Sequence, residues 1–143
     1  MDNIIFICTG NTCRSPMAEG LFRAHGGEEQ TGLTAASAGL FTQDGVPASE
    51  NAITAAKELG ADISAHRSRM LTPEMAENAR YLVCMTGAHY DRLCEMFPDC
   101  ADKVFTLLPT DISDPFGGDL ETYRRAAAQI DEGVRNIIGR LDA

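Results

Sequence analysis

The first sixteen residues constrain this chain more than any other stretch. Residues 4–7, Ile-Ile-Phe-Ile, are apolar and mostly β-branched, which predicts a buried strand. Cys8 ends the run, and five residues separate it from Arg14. Ser15 then offers a helix N-cap, Pro16 suits a first helical turn, and Met17, Leu21 and Phe22 supply an apolar helix face. A tight loop between strand and helix turns backbone N–H groups inward, beside the positive end of the helix dipole. Such a concavity binds an anion.

The loop residues suit that task. Gly10 and Asn11 tolerate the left-handed backbone that an N–H nest requires. Arg14 carries a planar fork matched to two phosphate oxygens. Thr9, Gly10, Asn11, Thr12, Cys13 and Arg14 are therefore the expected phosphate-binding residues. Cys8 sits at the base of the cradle, where a field that holds a dianion also favours a thiolate, and Ser15 can donate to it. A thiolate beneath a phosphoryl group is a nucleophile aimed at phosphorus. Cysteine alone at a strand end is commonly a small core residue. The combination with Gly10, Asn11, Arg14 and Ser15 argues for chemistry instead. Cys13 in the same loop is either a passive side chain or a partner for Cys8 in a protective reversible disulfide.

At 143 residues the chain is read as one domain, 1–143. A formal net charge of −9 argues against nucleic acid and anionic membranes as partners. There is no apolar run near membrane-spanning length and no signal peptide, so a cytoplasmic location is expected. A monomer is the expected state. The five cysteines form no Cys-x2-Cys pair, which argues against zinc, and no metal or cofactor is expected. Nucleotide-binding glycine fingerprints are absent from the sequence.

Along the chain, a helix over about 16–25 meets a Gly26-Gly27 break, and a short strand follows at about 33–37. A helix opened by Ala48 or Ser49 is closed by Gly60, and Thr72-Pro73 starts a short one. Strands are expected over 80–85 and 103–108, with a helix at 88–97 between them. Leu120, Tyr123, Ala127, Ile130, Val134, Ile137 and Leu141 mark a last amphipathic helix. Alternating strands and helices predict an α/β fold: three layers, with a four-stranded parallel doubly wound sheet and helices on both faces. Ligands bind such sheets at the carboxyl ends of strands, the edge shared by Cys8 and the loop after the fourth strand. That loop holds Asp111 and Asp114-Pro115, either of which can be an acid for a leaving group or merely a turn residue. His25 and His89 have no evident partner, and surface or helix-end positions are the default.

Cys8-x5-Arg14-Ser15 at the N-terminus, Ser37-Ala38-Gly39 and Asp114-Pro115 near the C-terminus stand in the order and spacing of a known family. Over nearly the whole chain the sequence resembles the low-molecular-weight protein tyrosine phosphatases and their relatives, the bacterial protein arginine phosphatases. The resemblance implies Cys8, Arg14 and Asp114 as catalytic residues, with Asp111 the runner-up acid. It also implies that Ser37 supports the loop at Asn11 and that His66 braces Asn11 or Ser15; a solvated basic turn is the plain alternative for His66. A cysteine at the position of Cys13 is linked in that family to protective disulfide formation. Two positions look like the arginine phosphatases: Thr12, where tyrosine phosphatases carry an aliphatic residue, and Phe116 followed by two glycines, where they carry aromatics.

The resulting expectation is a cysteine-dependent phosphatase that hydrolyses phosphoarginine in a phosphorylated protein substrate through a phosphocysteine intermediate. A low-molecular-weight protein tyrosine phosphatase is the alternative. An arsenate reductase relaying electrons through Cys84 and Cys94 is a second, and a non-catalytic phosphate-binding module is a third.

Overall fold

A computed structural model describes residues 2–142. The apolar N-terminal run forms β1 (Asn3–Cys8), which pairs in parallel with β2 (Thr34–Gly39) on one side and β3 (Tyr81–Cys84) on the other. β4 (Val104–Thr106) extends the sheet beyond β3, so the strand order is β2-β1-β3-β4. The chain steps from β1 to β2 on one side, then crosses back to place β3 on the other. The switch point therefore lies between the carboxyl ends of β1 and β3, where such sheets bind ligands.

Alternation along β1 feeds two cores. Phe6 and Cys8 face one core with Val83, Met17 and Leu21 of α1 (Arg14–Ala24), Ala52 of α3 (Glu50–Glu58) and Ile130 of α6 (Leu120–Leu141). Ile5 and Ile7 face the other with Leu82, Ala76 of α4 (Pro73–Asn78) and Leu93 of α5 (Gly87–Met96). The expected three layers are present. Phe6 and Phe22 pack as tilted rings 5.7 Å apart, a geometry worth about 0.5–1.5 kcal/mol beyond burial. The stripe of α6 is buried at Tyr123, Ala127, Ile130, Val134 and Ile137, while Leu120 and Leu141 are only half-buried at its ends.

Several boundaries differ from the sequence expectation. α1 starts at Arg14, with Cys13 at its N-cap position and no side-chain cap, so Ser15 is inside the helix rather than capping it. The Gly26-Gly27 break contains a short helix, α2 (Gly27–Thr31), bounded by Gly26 and Gly32 in left-handed conformations. β2 continues to Gly39 because its partner continues to Cys8. β4 is shorter than expected at both ends: a 3₁₀ turn, Pro98–Lys103, takes Lys103, and the chain bends away at Leu107 and Leu108. Among the described residues, no helix is long and apolar enough to cross a membrane.

Candidate active site

Cys8 leaves β1 nearly buried, with its Sγ 2.9 Å from Ser15 Oγ. Ser15 Oγ accepts a hydrogen bond from Asn11 Nδ2 at 2.7 Å. Its own proton is thus left for the sulfur, an arrangement that suits a thiolate. The Asn11 amide also donates to Ser37 Oγ at 3.0 Å, and Ser37 in turn donates to Glu19 Oε1 at 2.6 Å. Asn11 Oδ1 accepts from the Arg69 N–H at 2.9 Å. Asn11 is fully buried with φ 57°, so its side-chain bonds hold a backbone conformation that asparagine tolerates better than most residues. Of the two loop residues that tolerate that conformation, Asn11 adopts it and Gly10 does not.

Four carbonyls of the segment from Cys8 to Thr12 are fastened by distant parts of the chain. The Cys8 carbonyl accepts from Leu40 N–H at 3.0 Å, that of Thr9 from Phe41 N–H at 3.0 Å, and that of Thr12 from Ser49 N–H at 3.0 Å. The Asn11 carbonyl accepts from His66 Nε2 at 2.7 Å. Burial lowers the His66 pKa, so the ring is neutral near pH 7 and carries its proton on the nitrogen that donates. With these carbonyls fastened, the N–H groups of residues 10–13 are left without a protein acceptor among the described residues. They form the concave donor set of an anion nest.

Gly39 permits this arrangement. A Cβ there would lie 2.6 Å from the Thr9 carbonyl oxygen, a backbone atom fixed on both sides. Gly39→Ala is therefore expected to destabilise the fold by about 1–3 kcal/mol and to weaken phosphate binding. Thermal unfolding with and without phosphate checks this; an unchanged melting temperature would contradict it.

Arg14 is buried, and its guanidinium donates to the Ile112 carbonyl at 3.0 Å while pairing with Asp114 at 3.6 Å. Asp114 is more than half exposed and also accepts from the Phe116 N–H at 3.1 Å. Residues 8–14, Asp114 and Phe116 enclose a cleft of about 230 Å³. Asp111 is placed differently: its Oδ1 accepts from the Gly87 N–H at 2.9 Å and fastens the start of α5. Of the two acids, Asp114 lines the cleft. A larger hollow of about 570 Å³ beside Arg23, Arg67 and Arg69 does not include Cys8.

Cys13 is a buried free thiol, with Sγ 3.5 Å from Tyr123 Oη and 3.6 Å from Ser49 Oγ. Burial raises the Tyr123 pKa, and its bond to Cys13 adds to the rise. Two residues escaped the sequence reading. His25 pairs with Asp131 at 2.6 Å, joining α1 to α6. His89, expected at the surface or a helix end, lies in the first turn of α5 and is buried there with Nε2 2.9 Å from Thr9 Oγ1. Thr86 three residues earlier caps α5 by accepting the His89 N–H, a local signal that fixes the helix start expected near residue 88. Among the described residues, no group of three or more potential ligands is placed to hold a metal ion.

Chemically, this arrangement can hold a phosphoryl group against sulfur, as a cysteine-dependent phosphatase does. The chain belongs to the low molecular weight phosphotyrosine protein phosphatase family, whose sequence profile matches residues 3–143. It is 40% identical to a protein-arginine-phosphatase of Geobacillus stearothermophilus, over 96% of this chain and 95% of the relative. Identity to a protein-arginine-phosphatase of Bacillus subtilis strain 168 is 37%, over 97% and 96% of the two chains. A solved structure of a mutant of the YwlE arginine phosphatase with a phosphorylated active-site serine superposes with a TM-score of 0.91 at 37% identity, covering 99% of this chain and 95% of the other.

Proposed function

We propose that this protein hydrolyses phosphoarginine in phosphorylated proteins through a phosphocysteine intermediate. The observation that carries the chemistry is the Cys8 sulfur at the floor of an N–H-lined cleft walled by Arg14 and Asp114. A bound phosphoryl dianion takes the Arg14 fork and the loop N–H groups for its equatorial oxygens. Arg14 then exchanges Asp114 for phosphate, which frees the carboxyl to face the leaving group. Cys8 Sγ attacks phosphorus in line as the P–N bond breaks, and Asp114 in its acid form gives its proton to the departing guanidine nitrogen. Water then attacks the phosphocysteine, Asp114 takes the water proton, and phosphate leaves with the thiolate restored. Ser15 donates to the sulfur in both resting and leaving states.

The phosphoarginine specificity is supported by the relatives' activity and by Thr12 and Phe116, both of which line the cleft. A threonine hydroxyl presents a polar group to a guanidinium, where a branched aliphatic would present only methyl surface. The Phe116 ring is largely exposed and able to stack on the guanidinium plane. The reductase alternative is weakened at Cys84, whose thiol is pushed up to about 12 by burial, with Cys94 adding to the rise, and so stays protonated. A phosphorylated protein is the proposed partner, and a cytoplasmic location suits it.

The test is phosphate release from matched phosphoarginine and phosphotyrosine peptides. The wild type is expected to prefer phosphoarginine, and Thr12→Ile to shift the ratio of kcat/KM toward phosphotyrosine by about 10-fold or more, the scale of one polar contact left unmatched. Preference of the wild type for phosphotyrosine would retain the mechanism and overturn the specificity.

A further inference from the structure

His89 is tied to the phosphate loop from the opposite side of the switch-point crevice. It lies in the first turn of α5, directly after β3, and its Nε2 meets Thr9 Oγ1 at 2.9 Å. Its Nδ1 is buried and has no hydrogen-bond partner among the described residues. The charged groups around it are Arg14, Asp114 and Asp111. Burial, reinforced by the Arg14 guanidinium and opposed by the two carboxylates, pushes its pKa down to about 4, so the ring is neutral near pH 7.

A neutral imidazole carries one proton, on Nδ1 or on Nε2. With the proton on Nδ1, a buried N–H donor would be orphaned, and orphaned buried N–H groups are rarer in proteins than under-used acceptors. With the proton on Nε2, the bare Nδ1 is only an unused lone pair, and Nε2–H donates to Thr9. The Thr9 hydroxyl is then an acceptor toward His89, and its own proton is free to point elsewhere. Thr9 lines the cleft.

We propose that His89 is a positioning residue of the phosphate site: its Nε2–H fixes the Thr9 hydroxyl as an acceptor, so that the hydroxyl proton is donated to an oxygen of the bound phosphoryl group. This rests on the cleft being the phosphoryl site. Thr9 thereby adds a side-chain donor to the N–H nest, oriented by a residue 80 positions away.

The test has two arms. The first is the ¹⁵N NMR signature of the His89 imidazole in the wild-type chain at neutral pH, which needs no substrate. An Nε2–H tautomer is expected; an Nδ1–H tautomer overturns the proposal. The second arm measures inhibition by inorganic phosphate and kcat/KM on 4-nitrophenyl phosphate and the phosphoarginine peptide. His89→Leu is expected to weaken phosphate binding and to lower kcat/KM by about tenfold, the scale of one hydrogen bond to a charged group. His89→Gln, which restores an N–H near Nε2, is expected to recover most of that loss. In a Thr9→Val background, His89→Leu is expected to have little further effect. Full additivity with Thr9→Val, or equal losses in the Gln and Leu variants, would overturn the positioning role. If the wild type releases no phosphate from either substrate, the phosphatase reading fails, whereas the tautomer and phosphate-binding results still decide the contact.

Discussion

Cys8→Ser is expected to lower kcat on phosphoarginine peptides by on the order of 10⁴-fold or more, while inorganic phosphate still binds. The two readouts separate because the site divides its labour. Binding rests on the loop N–H groups and Arg14, none of which the substitution removes. The attacking atom rests on sulfur alone. A serine hydroxyl in that position keeps a hydrogen bond to Ser15, but it is a poor nucleophile without a base, and among the described residues no imidazole hydrogen-bonds the Cys8 side chain. Turnover on peptides and calorimetric titration with phosphate measure the two halves. Activity within tenfold of wild type would remove Cys8 from the nucleophile's role.

The second large effect is at Asp114. Asp114→Asn keeps the size of the side chain and an oxygen able to accept from Phe116 N–H, but has no proton to give. General acid catalysis contributes about 10²–10⁴-fold, and guanidine, a poor leaving group until protonated, draws on most of it. Formation of the phosphocysteine from phosphoarginine is therefore expected to slow by roughly 10³-fold. With 4-nitrophenyl phosphate, whose phenolate leaves unaided, the first-turnover burst is expected to slow by less than about tenfold, although steady-state turnover still suffers because Asp114 also serves the water step. Equal slowing of both bursts would reassign the acid. Asp111→Ala is the control: its carboxylate is engaged with the Gly87 N–H, so its loss is expected to loosen the start of α5 rather than change leaving-group dependence.

How much of this was legible in the sequence differs by residue. The β1 strand was plain because Ile4, Ile5, Phe6 and Ile7 are buried on both faces of the sheet and no other element tolerates that run so well. The fold class followed from alternation of strands and helices. Ser15 was read as a cap because serine before an apolar helix is a common start signal. The helix instead begins at Arg14, two residues earlier, and the hydroxyl is engaged by Cys8 and Asn11, a preference no local rule contains. Gly10 and Asn11 both permit a left-handed turn, and only the surrounding bonds select Asn11. Asp111 and Asp114 share a loop, and their separation into an anchor and a cleft carboxylate arises from the position of α5. His89 was invisible for the same reason: its partner lies on another strand's loop.

The fastening of the loop carbonyls also bears on when this protein can become reactive. Leu40 and Phe41 follow β2, Ser49 precedes α3, and His66 lies 55 residues from the carbonyl it holds. Each tie closes a long stretch of chain, so the nest has no local means of forming by itself. A chain still emerging during synthesis, or one opened by partial unfolding, holds Cys8 on a loop whose carbonyls and amides are free to rotate. Chemical reactivity of the thiol and completion of the fold are therefore one cooperative event, and recovery of activity during refolding reports the last long-range contacts to close.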